Sequence, residues 1–261
     1  MGKTEAEVRV FHETEQLSMA LAEYVIENSD AAVKERGAFS IVLSGENLIH
    51  LMGTLLKPPY ERMVDWSKWH LFWADENILP KKHLDSFHRE DREAFISMAP
   101  IKSENIFEVR LGVSAEKAME EYEFTIRQEV KSRTVDVSPS SDNPRFDLIL
   151  LELGEDGHVA SLFPNDPVLS EESQWVACVD REGKESVTLT LPVINSAANV
   201  AIVATGSDVA ESLSLALGDP LSSGSNPAQM VSPREGNLVW FVDGSAAALL
   251  PGNNGGESSS T

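Results

Sequence analysis

Two rhythms of apolar residues alternate along this chain. From Glu15 to Arg36 (EQLSMALAEYVIENSDAAVKER) they recur at helical spacing and stop before Gly37, which predicts a helix with a glycine end signal. Phe39–Ser44 (FSIVLS) is a short, largely apolar run that reads as a strand. Leu48–Leu56 (LIHLMGTLL) reads as the helix after it, weakened by Gly53. Trp69–Asp75 (WHLFWAD) predicts a strand and Ala115–Arg133 a charged amphipathic helix. Phe146–Leu153 (FDLILLEL) predicts another strand, with His158–Phe163 starting the helix that follows. Val187–Leu191 (VTLTL, ended by Pro192), Asn199–Thr205 (NVAIVAT) and Leu238–Asp243 (LVWFVD) complete the strands, and Asp208–Leu217 reads as a helix after Gly206. Val135–Asn143 and Asp219–Arg234 read as loops, and Gly252–Thr261 as a disordered polar tail.

The core strands are mostly continuous apolar runs rather than alternating ones. A parallel sheet covered on both faces produces that pattern. The expected fold class is therefore α/β, one domain over residues 1–251, with a mostly parallel sheet and helices on both faces. A length of 261 residues with 42% hydrophobic and 24% charged residues fits one doubly wound domain with a sizeable core, in which the tryptophans should pack.

Charge and cysteine content narrow the setting. No run of about 18 apolar residues predicts a membrane span. The N-terminal MGKTEAEVRV lacks a secretory core and is too acidic for a transit peptide, and a single Cys178 cannot form an internal disulfide. The cytosol is the expected compartment. A net charge of −21 speaks against nucleic acid and anionic membrane as partners. It also means that an anionic small molecule would need a locally positive pocket.

Open parallel sheets bind ligands beyond the carboxyl ends of their strands. Three runs end there in small or polar residues: Ser44-Gly45-Glu46-Asn47, Asp75-Glu76-Asn77 and Gly154-Glu155-Asp156-Gly157-His158. If their strands are parallel neighbours, the three turns share one crevice. His158 is then a candidate general base, with a nearby carboxylate fixing its tautomer. The same segment reads equally as a strand-to-helix turn with a surface histidine. Ser44–Asn47 reads as a phosphate cradle or, favoured on spacing, as a helix N-cap by Ser44 or Asn47; Glu46 argues against an anion there. His50 and His70 lie in apolar runs and are expected to be core or half-buried. His83 and His88 lie near Asp85 but match no zinc pattern. No Walker A, G-x-G-x-x-G or G-x-S-x-G sequence occurs, and Ser161, lacking such an elbow, is not expected to be a nucleophile.

Several segments resemble one family. LELGEDGHVASLFP (Leu151–Pro164), FWADENILPKKHLDSFH (Phe72–His88), FSIVLSGENLIHLM (Phe39–Met52), SVTLTLPVINSAANVAIVATG (Ser186–Gly206) and LVWFVDGSAA (Leu238–Ala247) resemble the 6-phosphogluconolactonases in order and spacing, from about Val8 to Leu249, and NPRFDLILLELGEDGHVASLFPN further resembles the plant cytosolic branch. Ala160–Pro164 (ASLFP) after Asp-Gly-His separates lactonases from the related glucosamine-6-phosphate deaminases. The resemblance implies a sugar-phosphate isomerase/lactonase-like, Rossmann-like fold. It also implies hydrolysis of 6-phosphogluconolactone to 6-phosphogluconate in the oxidative pentose phosphate pathway, with no metal or organic cofactor. The implied partner is a small sugar-phosphate lactone, and a monomer is the expected state. By the same resemblance His158 takes a proton from water and Asp75 organises the site. Ser44, Gly45, Asn47, Asn77, Gly154, Asp156, Gly157 and Ser186 would meet the substrate, and N–H groups near Gly45 and Gly157 would hold it or its developing oxyanion.

The chain departs from the family pattern where an anion should bind. Asn77 and Ser186 replace arginines, Glu152 replaces a glycine, and Glu46-Asn47 stand for Gly-Ser. Two positive charges are lost and two negative ones gained. Two further readings therefore stand beside the first: a weak or inactive paralogue that binds a ligand or regulates, and a lactonase for an unphosphorylated sugar lactone. Lys81, Lys82, Arg181 and Lys184 are close enough in sequence to compensate.

Overall fold

A computed structural model describes residues 6–78, 94–218 and 226–251. Helix α1 (Thr14–Arg36) follows strand β1 (Glu7–Phe11) and ends at Gly37, whose φ of +78° lets its amide bond back to Val33. Strand β2 (Phe39–Leu43) leads into α2 (Glu46–Met52), which tightens at Gly53 into a 3-10 turn over Gly53–Leu56. Then come β3 (Trp69–Trp73), β4 (Asp75–Asn77), β5 (Ile106–Phe107) and α3 (Ala115–Lys131). A two-residue pair, β6 (Asp136–Val137) with β7 (Pro144–Arg145), precedes β8 (Leu148–Glu152). The chain closes through β9 (Val176–Arg181), β10 (Lys184–Leu189), α4 (Leu191–Ile194), β11 (Asn199–Ala204), α5 (Ala210–Leu217), α6 (Pro227–Met230) and β12 (Asn237–Asp243).

Among the described residues, seven strands form the main sheet in the order β1-β12-β11-β8-β2-β3-β5, and each adjacent pair is parallel. Both faces are buried. Leu17, Leu21 and Val25 of α1 pack with Ile41, Leu43, Leu71, Leu150 and Phe241 on one side. Ala118, Tyr122 and Ile126 of α3 and Leu213 of α5 pack with Phe72, Ile149, Leu151, Ile202 and Trp240 on the other. All five tryptophans are in these cores, none more than 7% exposed. The α/β class and the parallel sheet expected from the apolar runs are what the chain adopts.

Several expected boundaries move, for physical reasons. Trp69–Asp75 is not one strand. Ala74 donates to Leu43 O of the main sheet (2.9 Å) while its own carbonyl accepts from Leu189 (2.7 Å), so the chain leaves one sheet for another at this residue. The second sheet is antiparallel, in the order β4-β10-β9. Beyond Phe72, β5 offers Trp73 no partner. The buried hydroxyl of Tyr122 takes that place, accepting from Trp73 N (2.9 Å) and donating to Trp73 O (2.7 Å).

The helix expected over His158–Phe163 is absent. Leu162 N bonds Val159 O (3.0 Å) in a tight turn and Ala160 has φ +49°. Pro164 would in any case break a helical ladder. The loop expected over Asp219–Arg234 contains α6, started by Asn226, whose side chain accepts from Gln229 N. His70 is half-buried as expected. His50 is exposed instead, because Leu48, Ile49, Leu51 and Met52 take the buried face of α2. His83, Asp85, His88, Lys81 and Lys82 lie outside the described residues, as does Gly252–Thr261.

Candidate functional site

The strands ending at Ser44, Ala74 and Leu153 are β2, β3 and β8, consecutive neighbours in the sheet, so their three turns share one edge. Ser44 is at the end of β2, 4% exposed, and donates to Asp75 Oδ1 at 2.7 Å. Ser161, in the turn after His158 and equally buried, donates to Asp75 Oδ2 at 2.8 Å. One carboxylate thus ties the first, second and third turns together.

The imidazole is held by a different carboxylate. His158 Nδ1 lies 2.5 Å from Asp156 Oδ1, which also accepts from the His158 amide at 3.1 Å. Burial pushes the Asp156 carboxyl upward, but the bonds from the His158 ring and amide outweigh it and hold it below its usual range. The ring packs on Gly154, where a Cβ would stand 2.0 Å from Nδ1, and against the Phe163 ring at 4.7 Å between centres. With Nδ1–H donated to Asp156, Nε2 is left as the basic nitrogen, and the half-exposed side chain gives water access to it.

The third feature is an internal carboxyl group. Glu152, the last residue of β8, lies over the Ser44-Gly45 turn, and Gly45 has φ +101° and room for no Cβ: one would sit 2.2 Å from Glu152 Oε2. That oxygen accepts from the amides of Asn47 (3.1 Å) and Leu48 (3.3 Å), both in the first turn of α2. Burial raises the Glu152 carboxyl above its usual range, and the two amides pull it partway back.

With this geometry in view, likeness to known proteins decides the family. The family model described as glucosamine-6-phosphate isomerases/6-phosphogluconolactonase matches residues 12–240. The chain belongs to this family. Probable 6-phosphogluconolactonase 1 of Arabidopsis thaliana is 50% identical over 95% of each chain. Probable 6-phosphogluconolactonase 2 of Oryza sativa subsp. indica is 46% identical over 97% of this chain and 92% of its own. Among solved structures, the 6-phosphogluconolactonase from Trypanosoma brucei superposes with a TM-score of 0.78 over 95% of this chain and 99% of that one, at 22% identity. The Thermotoga maritima 6-phosphogluconolactonase gives 0.73 over 92% and 100%, at 26% identity.

The residues that the 6-phosphogluconolactonase resemblance singles out fall into two groups. His158, Asp156, Gly154, Asp75, Ser44, Gly45 and Asn47 meet along one edge. Gly157 shapes that edge with φ +88° and packs against Asn226, but its amide already donates to Gly154 O (3.0 Å), so it is not open to an oxyanion. Neither Ser44 nor Asn47 caps α2: Ser44 is bonded to Asp75, and Asn47 Nδ2 donates to Thr205 Oγ1 at 2.6 Å. Asn77 and Ser186 are paired neighbours on β4 and β10, and Ser186 is buried. To the expected residues the structure adds Ser161, Phe163 and Thr205. The first two stand in the ASLFP segment, where the signal was present. Ser161, not expected to be a nucleophile, serves through its hydroxyl as a donor to Asp75.

Proposed function

We propose that this protein hydrolyses 6-phosphogluconolactone to 6-phosphogluconate, with His158 as general base. Water held by Nε2 adds to the lactone carbonyl carbon as the imidazole takes its proton. The tetrahedral intermediate then breaks its ring C–O bond, and the imidazolium returns the proton to the departing ring oxygen. Asp156 keeps Nε2 as the acceptor and stabilises the charge formed on the ring. Asp75 organises the edge by fixing Ser44 and Ser161. Gly45 and Asn47, both expected to meet the substrate, lie at the rim of this edge beside Glu152. A cytosolic monomer is part of the same proposal; for the compartment, the plant relatives at 46–50% identity carry no plastid designation while those at 41–42% do.

The observation that carries this reading is the 2.5 Å contact between His158 and Asp156 at the shared edge of β2, β3 and β8. Purified protein should accelerate lactone opening above the spontaneous rate, and His158→Gln should lower kcat by about 10²–10⁴ with the circular dichroism spectrum unchanged. Equal rates for native protein, variant and buffer would refute the assignment. A second reading, a lactonase for an unphosphorylated sugar lactone, is favoured by Glu152. It takes two amides in the first turn of α2, those of Asn47 and Leu48, where a phosphate would otherwise find donors. A preference for glucono-δ-lactone over its 6-phosphate would select that reading.

A further inference from the structure

If the substrate is a phosphate monoester, its charge needs a seat, and several of the donors expected for it are engaged or neutral. Glu152 holds the amides of Asn47 and Leu48, Gly157 N–H is bonded to Gly154, and Asn77 and Ser186 are neutral. The three-stranded sheet supplies an alternative. Paired residues of an antiparallel ladder project to the same face, and successive residues to opposite faces. Asp75 pairs with Thr188, Asn77 with Ser186, Ser186 with Val179, and Lys184 with Arg181. All of these share a face, and it is the crevice face, because Asp75 on it reaches Ser44 and Ser161. The acidic residues Glu76, Asp180 and Glu185 alternate onto the other face. Cys178 is on that face as well, its thiol pushed up to about 11 by burial and by the negative charges of Glu116, Glu185 and Glu120.

The tip of this sheet is fixed. Glu182 and Gly183 have φ of +55° and +80°, as a two-residue hairpin turn requires, so Arg181 is set directly across from Lys184. The guanidinium of Arg181 lies 3.8 Å above the Phe163 ring, the same ring that packs against His158 at 4.7 Å. Among the described residues no carboxylate is paired with it. Its N–H fork is therefore held within one aromatic ring of the base and open to an anion.

We infer that Arg181, seated on Phe163 and flanked by Lys184, is the anion seat of this crevice and takes the phosphate monoester of a sugar lactone. The inference rests on the lactonase reading and names the group that makes it specific. Arg181→Ala should raise KM for 6-phosphogluconolactone on the order of 10- to 100-fold more than it raises KM for glucono-δ-lactone, and Arg181→Lys should recover part of the loss. It should weaken 6-phosphogluconate binding, measured by calorimetry, by a similar factor. An equal fall in kcat for both lactones would instead mean that Arg181 only braces Phe163 and His158, and would overturn the proposal. So would an unchanged KM. The calorimetric arm keeps the two readings apart. If the native protein binds 6-phosphogluconate through Arg181 but opens neither lactone, the anion seat stands and the lactonase reading fails. If it opens glucono-δ-lactone yet binds no 6-phosphogluconate, the reverse holds.

Discussion

A single hydrogen atom decides the identity of residue 154. The His158 ring rests on Gly154 so closely that a methyl group there would be 2.0 Å from Nδ1, where the Asp156 bond forms. Gly154→Ala should therefore tilt the imidazole away from Asp156 rather than unfold the chain, since the turn is at the sheet edge and the ring is half-exposed. We expect kcat to fall at least tenfold, toward the His158→Gln level, with a melting temperature within a few degrees of native. A variant with native kcat would show that the His158–Asp156 contact is dispensable. Residue types alone marked Gly154, Asp156 and His158 as one motif, because glycines beside a histidine at a strand end are informative. They did not assign Asp156 to the ring, since that depends on the turn's conformation. Nor did they separate Asp75 from His158, whose carboxylate partner is two residues away in its own loop.

At the level of elements, the parallel sheet was legible because burial on both faces writes itself as unbroken apolar runs such as 148–151 and 200–204. The antiparallel sheet was not. β4 is Asp-Glu-Asn, a sequence with every appearance of a turn, and its pairing with β10 joins residues about a hundred positions apart. The contact between β8 and α2 was equally hidden: Glu152 was visible as an added charge, but its place on the α2 amides follows from β2 and β8 being neighbours. That contact predicts a pH dependence. The folded-state value of Glu152 is raised, so the native protein holds this proton more tightly than the unfolded chain. Its burial penalty is absent below the ordinary carboxylate range and comes fully into force as pH rises through the raised value. Glu152→Gln keeps an oxygen for the Asn47 and Leu48 amides and removes the titration. Urea midpoints compared at about pH 4 and about pH 7 should show the variant gaining on the native protein as pH rises. Parallel profiles would mean that Glu152 is solvated when charged.

The whole molecule carries a net charge of −21, while the proposed anion seat is a local cation on one face of a three-stranded sheet. These two fields act over different distances. The repulsion between the protein and a phosphorylated lactone is a sum over the entire surface and reaches out to the Debye length, ~30 Å at 0.01 M salt and ~8 Å at 0.15 M. The attraction to a guanidinium in contact with the phosphate acts at hydrogen-bond distance, well inside either length, and is screened less. Raising salt across that range should therefore remove more repulsion than attraction. Measured at fixed pH, kcat/KM for 6-phosphogluconolactone should rise between 0.01 and 0.15 M salt, opposite to an enzyme that steers its anionic substrate with a positive surface. For neutral glucono-δ-lactone it should stay flat. In Arg181→Ala the rise should be steeper, since only the long-range repulsion is left to screen. A fall with salt in the native protein would mean that the local positive field extends well beyond Arg181, so that the crevice draws its substrate in from a distance despite the acidic surface around it.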